Sequence, residues 1–190
     1  MEQDDGLKQP TRRDWVGYWS MIVQQTQNAF NDKAAQFLLI PLGGWLLREA
    51  SRVEHIAGLL IVLPFILFAP VAGWLSDRFS KRNVMLGAAV AQFLILCLLS
   101  CALWMRSLNL ALVGFFMLAL QSAVFSPAKI GIVKELVGSA RLGFASGLQQ
   151  MTSMLAILIG QVLMGYLFDA RLEESGDGWG SALGPLLVIA

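Results

Sequence analysis

The chain has 190 residues, of which 56% are hydrophobic and only 14% are charged, and its formal net charge is +1. A soluble domain averages about 25% charged residues, so the composition excludes an ordinary soluble domain and favours an integral membrane protein. We expect no nucleic-acid partner and no cofactor.

Long uncharged runs follow the polar segment 1–14, which we interpret as a cytoplasmic N-terminal tail. The runs cover residues 15–31, 34–47, 55–76, 83–105, 107–128 and 142–168. A helix needs about 20 mainly apolar residues to cross about 30 Å of hydrocarbon. Four runs are long enough alone, and the first two join if Asp32 and Lys33 are accepted inside one span. The predicted membrane helices are therefore about 16–47, 54–76, 83–105, 107–133, 142–168 and 180–190, with the chain ending inside the sixth.

The first predicted helix carries a stripe of polar side chains in its middle. Its members are Gln24, Gln27, Asn28, Asn31, Asp32 and Gln36. Four of them recur every fourth residue, over about 18 Å of helix axis. Such a stripe cannot face lipid without leaving several polar groups unsatisfied. We therefore expect it to face other helices, which its amides could hold together, or a water-filled cavity.

Asp32 and Lys33 are the charged residues of this helix interior. Adjacent helical residues point about 100° apart, so the two are not predicted to form an ion pair, and each needs a partner elsewhere. A carboxylate in mid-membrane is costly where an amide would hold helices equally well, so Asp32 is the strongest candidate for a functional residue. Lys33 either contacts a headgroup phosphate or marks the place where a cavity opens.

The loop after the second helix reads GWLSDRFSKR, residues 73–82. Gly73 would let neighbouring helices approach closely. Asp77 ends the helix, where it can pair with a cation or with the positive N-terminus of another helix. Arg78, Lys81 and Arg82 can bridge to carboxylates or to lipid phosphates.

The fourth helix contains polar residues around a proline. Pro127 lacks a backbone donor and is predicted to kink the helix, with Ser122 and Ser126 placed to satisfy the freed carbonyls. Gln121 lies on the same segment. Lys129 either snorkels to the cytoplasmic interface or contacts an anionic headgroup.

The fifth helix shows a weaker polar stripe and a set of small residues. The stripe consists of Gln149, Ser153 and Gln161, and the small residues are Gly143, Gly147, Ala156 and Gly160. Small residues in membrane helices typically mark close packing.

Catalytic and metal-binding patterns are missing from the sequence. Cys97 and Cys101 lie one turn apart without histidine or carboxylate neighbours, which indicates small apolar residues rather than a disulfide or a metal pair. The single histidine, His55, belongs to no Ser-His-Asp or His-x4-Asp pattern. We expect neither catalysis nor a metal site.

The distribution of basic residues predicts the orientation. With a cytoplasmic N-terminus, nine basic residues lie inside: Lys8, Arg12, Arg13, Arg78, Lys81, Arg82, Lys129, Lys134 and Arg141. Four lie outside: Arg48, Arg52, Arg106 and Arg171. The positive-inside rule therefore favours a cytoplasmic N-terminus, and the acidic loop 169–178 is then expected outside.

The pattern G-x-L-x-D-R-x-x-K-R at residues 73–82 resembles the loop between helices 2 and 3 of the major facilitator superfamily. Three further stretches resemble the family's bacterial lysophospholipid transporter branch. They are QNAFNDKAAQFLLIPL, PFILFAPVAGWLSDRFSKRNVM, and SPAKIGI followed by KEL and RLGFASGL. The resemblance implies an all-α polytopic fold, the N-terminal six-helix half of a twelve-helix protein truncated within helix 6.

The resemblance also implies a function. Members of this branch move lysophosphatidylethanolamine across the bacterial inner membrane by alternating access, and the 73–82 loop acts as a conformational latch. Their inverted repeats make helices 1 and 4 counterparts. The resemblance implies a substrate or coupling role for Asp32. The polar patterns of helices 1 and 4 add the other candidates, which are Asn28, Asn31, Gln36, Lys33, Gln121 and Lys129. Expected partners are membrane lipids, the lysophospholipid or another small-molecule substrate, a C-terminal half, and a fused or separate acyltransferase.

Two alternatives stay open. The first is an exporter of another small molecule, such as a drug–proton antiporter in which Asp32 carries the proton. The second is the membrane anchor of a fused lysophospholipid acyltransferase.

Overall fold

The computed structural model describes the backbone of residues 11–48 and 50–189. It describes their side chains except at 50–52, 76–77, 81–82, 128–130 and 188–189. The regular elements of these ranges are all helices, as the sequence predicts. They are α1 (Arg12–Leu47), α2 (Ala50–Arg78), α3 (Lys81–Trp104), α4 (Leu108–Val137), a 3-10 turn (Ser139–Arg141), α5 (Leu142–Ser175) and α6 (Gly178–Ile189).

Local sequence signals explain where these helices begin and end. Thr11 and Asp14 cap the start of α1 reciprocally, since Thr11 Oγ1 accepts from the Asp14 amide while Asp14 Oδ2 accepts from the Thr11 amide. Gly138 follows α4 with φ 74°, and Gly176 follows α5 with φ 65°. Glycine adopts this left-handed region without a Cβ penalty, so both positions stop a helix cleanly.

The helices are long enough and apolar enough to cross a bilayer. Four described segments qualify: Val53–Leu75, Asn83–Trp104, Leu108–Pro127 and Ser139–Ser175. The first of them has a mean hydropathy of 2.5 although only 17% of it is buried, so its apolar side chains face outward. An outward apolar surface on several such helices is the surface of a multi-pass membrane protein.

Helix α1 is long but does not belong to this apolar group. Its 36 residues extend about 54 Å. Its polar residues Gln25, Asn28 and Asn31 are buried in the protein instead of facing lipid. The polarity of α1 at these positions is therefore accommodated by the other helices, as the sequence predicts. The prediction is wrong for Gln27, which is exposed because it points away from the helices that pack on α1.

Two apolar clusters flank the polar section of α1. The larger cluster includes Leu38 and Leu42 of α1 and joins α3, α4, α5 and α6. The smaller one includes Tyr18 and Ile22 of α1 together with Val133 of α4. The polar section of α1, residues 25–36, begins after the smaller cluster and overlaps the larger one at Ala34 and Ala35, so the fold leaves it in the middle of the bundle.

Small residues pack closely only where another helix crosses them. A Cβ at Gly160 would lie 3.0 Å from the Phe30 carbonyl oxygen, so α5 rests directly on α1 there. In contrast, a Cβ at Gly143, Gly147 or Gly73 would meet no described atom within 4 Å. At these three positions no helix of the described residues lies close, so the predicted close approach stays a prediction there.

Candidate functional site

A cavity of about 400 Å³ opens between α1, α2, α4 and α5, beside the polar section of α1. From α1 it is lined by Gln25, Asn28, Asp32, Lys33 and Gln36. Its volume lies in the range of about 300–1,000 Å³ that is usual for small-molecule sites. The structure thus brings four of the predicted α1 site residues, together with Gln25, to one cavity.

Asp32 is held at the cavity by α4. The Ser122 hydroxyl donates a hydrogen bond of 2.5 Å to Asp32 Oδ2. Ser122 also lies 3.4 Å from Gln121 Oε1, its neighbour in the chain. The prediction that Ser122 satisfies carbonyls freed by Pro127 is therefore wrong, because its hydroxyl is directed to the carboxylate of the facing helix.

Lys33 has its partner within its own helix. Its Nζ donates a hydrogen bond of 2.7 Å to Gln36 Oε1, three residues further along α1. Residues three apart are neighbours on a helix surface, so the pair forms without help from another helix. Both side chains are half-buried and both line the cavity.

A pair of amides joins α1 to α5 at the cavity. Gln149 Nε2 donates to Gln25 Oε1. Gln25 is only 6% exposed, and its Nε2 has no hydrogen-bond partner among the described residues. The expected polar stripe of α5 is thus partly at the cavity, which Gln149 and Ser153 line and Gln161 does not.

Gln25 was not singled out by the sequence because the polar stripe does not follow a strict four-residue repeat. Each step of four residues rotates by about 40°, so Gln24 and Gln36 point about 120° apart. Gln25 lies seven residues before Asp32 and only about 20° from it in direction. A seven-residue repeat would have found Gln25 and excluded Gln24.

The polar residues beside this face hold α3 instead of lining the cavity. Gln24 Nε2 donates to the Met85 carbonyl at 3.0 Å, and Gln121 Nε2 donates to the Ala88 carbonyl at 3.2 Å. Asn31 is 4% exposed and does not line the cavity either. Asn31 and Gln121 therefore lie outside the cavity, because each precedes a cavity-lining residue and points about 100° away from it.

The cavity also has an apolar lining. It consists of Ile61 and Phe65 from α2, Phe115 and Leu118 from α4, and Ile157 from α5. Charged and amide groups thus line the same space as aliphatic and aromatic ones. Such a space suits a molecule with a polar end and an apolar end.

The remaining predicted site residues lie away from the cavity or outside the described side chains. The Arg78 guanidinium lies 5.2 Å from the centroid of the Trp74 ring, one turn earlier on α2. Helix α4 continues through Pro127 to Val137, and its kink stays a prediction. The side chains of Asp77, Lys81, Arg82 and Lys129 are outside the described residues.

Among the described residues, no three His, Cys, Asp or Glu side chains lie together where they could hold a metal ion.

Comparisons with known proteins give matches over most of the chain. Residues 29–189 match the family model described as Major Facilitator Superfamily. A Photorhabdus laumondii protein named lysophospholipid transporter is 36% identical over 157 residues, which are 82% of this chain and 37% of the relative. Proteins of the same name from Cronobacter sakazakii and Escherichia coli strain SE11 are 33% and 34% identical, over 91% and 80% of this chain.

The chain spans only part of these relatives, namely 37%, 43% and 37% of their lengths. No solved structure matches it.

Proposed function

This chain belongs to the major facilitator superfamily, and we propose that it forms part of a secondary transporter for lysophospholipids in the bacterial inner membrane. The observation that carries the proposal is the cavity, whose lining combines the Asp32–Ser122 and Lys33–Gln36 pairs with apolar side chains such as Phe65. A lysophospholipid has one polar headgroup and one acyl chain. The relatives named lysophospholipid transporter support the same substrate class.

Asp32 is the residue to which we assign the substrate or coupling role. Placing a charged side chain at the bilayer centre costs about 2.5–3.5 kcal/mol on insertion scales, so such residues usually serve function. Ser122 fixes one oxygen of the carboxylate at the edge of the cavity. There the carboxylate can meet the ammonium of an ethanolamine headgroup or a coupling cation.

Transport would follow from alternating access. In this proposal the bundle rocks against a C-terminal half, with the N-terminus in the cytoplasm and the 73–82 loop as the latch between the halves. The residues assigned to it are Gly73, Asp77 and Arg78 in the last turns of α2 and Lys81 and Arg82 at the start of α3, on either side of a two-residue connection. The chemistry required is binding and release, so the protein would act as a transporter and not as an enzyme.

The test is translocation by the full-length protein in proteoliposomes. Fluorescent lysophosphatidylethanolamine that has crossed the bilayer is protected from extraction by external albumin. The proposal predicts a protected fraction that rises faster than in empty liposomes. Proton-coupled drug movement without lysolipid movement would favour the drug–proton antiporter, and acylation of the lysolipid without translocation would favour the acyltransferase anchor.

A further inference from the structure

We propose that Lys33 and Gln36 form a subsite for the phosphate group of the ligand that enters the cavity. The inference rests on the proposed function only for the source of the phosphate, a lysophospholipid headgroup. The anion-binding property itself belongs to two side chains of this chain, and it can be measured in a binding experiment that involves no transport.

The first argument is the unused hydrogen-bonding capacity of Lys33. An ammonium has three donors. Among the described side chains, Lys33 Nζ has one hydrogen-bond partner, the neutral Gln36 Oε1 at 2.7 Å. Within the described residues, no carboxylate forms an ion pair with Lys33. The ion pair that the structure shows in this part of the chain joins Arg106 to Asp177. Two donors and a positive charge therefore remain available at the cavity.

The second argument is the surroundings of that charge. Lys33 is half-buried and lines the cavity in the interior of a membrane protein. A charge removed from water is costly unless an opposite charge or several hydrogen bonds compensate it. An anionic group in the cavity supplies both, because hydrogen bonds between an ammonium and an anion are shorter and about twice as strong as neutral ones.

The third argument is the position of Gln36. Because its Oε1 accepts from Lys33, its Nε2 amide group is left with two donors of its own at the cavity. Lys33 and Gln36 together can therefore present four donors to one group. A phosphate, with several acceptor oxygens and at least one negative charge, matches such a set of donors.

The neighbouring carboxylate makes this arrangement suitable for a zwitterion. Asp32 also lines the cavity and is held there by Ser122. Asp32 and Lys33 point about 100° apart on α1, so they can contact different groups of one headgroup. A phosphate at Lys33 would leave an attached ammonium free to reach Asp32.

The test compares ligands that differ only in the phosphate. Full-length protein in nanodiscs is titrated with a 1-acylglycerol 3-phosphate, with the 1-acylglycerol of the same chain, and with glycerol 3-phosphate, which has no acyl chain. Empty nanodiscs provide the reference for membrane partitioning. Wild-type protein is expected to bind the acylglycerol phosphate about tenfold more tightly than the acylglycerol, as hydrogen bonds to a charged group allow.

Three substitutions separate the subsite from general packing effects. Lys33→Gln removes the charge at similar length and is expected to abolish the preference for the phosphate-bearing ligand. Lys33→Arg retains the charge and the donors and should keep this preference. Gln36→Leu should reduce the preference, because it removes the hydrogen bond that positions Lys33. Lys134→Gln is the matched control, because Lys134 is exposed on α4 and does not line the cavity.

Equal affinities of the wild-type protein for the two acyl ligands would overturn the proposal. An unchanged preference for the phosphate-bearing ligand in Lys33→Gln would overturn it as well. If glycerol 3-phosphate binds as tightly as the acyl form and depends on Lys33, the subsite stands and the lysolipid substrate fails. If lysolipid translocation occurs and Lys33→Gln keeps the phosphate preference, the transport proposal stands and the subsite fails.

Discussion

The Ser122 hydroxyl of α4 donates a hydrogen bond of 2.5 Å to the Asp32 carboxylate of α1, across 90 positions of sequence. This contact places the carboxylate at the cavity and ties together two helices that both contribute polar residues to it. The serine therefore has a testable role in positioning Asp32.

Ser122→Ala is expected to slow lysolipid translocation by about tenfold, because a hydrogen bond to a charged group typically contributes about 1.5–3 kcal/mol. Ser122→Thr keeps the hydroxyl and should retain most of the rate. Ser20→Ala is the control, since the Ser20 hydroxyl bonds the Val16 carbonyl on the exposed side of α1. Wild-type translocation by Ser122→Ala would show that the hydroxyl does not position Asp32.

Tyr18→Phe is expected to destabilise the bundle by about 1–2 kcal/mol. Tyr18 is fully buried, and its hydroxyl donates a 2.9 Å hydrogen bond to the Ala145 carbonyl, linking α1 to α5. Removing the donor leaves that carbonyl without this partner. The chain's second tyrosine is the control, because Tyr166 is 71% exposed. Thermal unfolding in detergent should show a midpoint below that of the wild type for Tyr18→Phe and an unchanged midpoint for Tyr166→Phe. Equal midpoints for the two variants would contradict the linking role.

Gly160→Val is expected to disrupt the contact between α1 and α5. A Cβ there lies 3.0 Å from the Phe30 carbonyl oxygen, and a valine adds two more carbons to the same space. Overpacking of this kind typically costs about 1–3 kcal/mol. Gly165→Val is the control on the same helix, since a Cβ at Gly165 meets nothing within 4 Å. The two variants are compared by thermal unfolding, and similar midpoints would count against the close helix crossing.

Arg106→Ala is expected to change stability by less than about 1 kcal/mol, although Arg106 forms a 2.8 Å ion pair with Asp177. The Arg106 side chain is 64% exposed, so water and salt weaken the attraction. Asp177→Ala should cost more, because Asp177 Oδ1 also accepts from the Trp179 amide at the start of α6. Thermal unfolding at two salt concentrations measures both, and a larger effect of Arg106→Ala would contradict this ranking.

The class and architecture of the protein followed from its sequence because a bilayer allows few solutions. Only helices or closed barrels satisfy the backbone in hydrocarbon. Uncharged runs of about 20 residues indicate helices, since the strands of a barrel need only about 9–11 residues. The polar section of α1 had to be buried for the same reason. These constraints act on composition and spacing, which are visible without coordinates.

The detailed site was less predictable because it depends on which helix lies against each face. A four-residue repeat grouped Gln24 with Asp32. In the structure Gln24 donates a hydrogen bond to α3, and Gln25 lines the cavity beside Asp32. Gln121 and Ser122 likewise point about 100° apart on α4, and Ser122 lines the cavity whereas Gln121 does not. Gly73 carries a close-packing signal, but a small residue shows nothing about whether a neighbour is present. The partner of Lys33 lies three residues further along the same helix, a spacing that is visible in the sequence, but the spacing alone does not show which of its neighbours the ammonium contacts.

The most direct test of the central proposal is lysophosphatidylethanolamine translocation by the full-length protein carrying Asp32→Asn. This substitution keeps the size of the side chain and its ability to accept from Ser122, but removes the charge. Asp169→Asn is the control, because Asp169 is exposed near the end of α5. The account predicts that Asp32→Asn abolishes translocation and that Asp169→Asn does not. Wild-type translocation by Asp32→Asn would contradict the role assigned to the carboxylate.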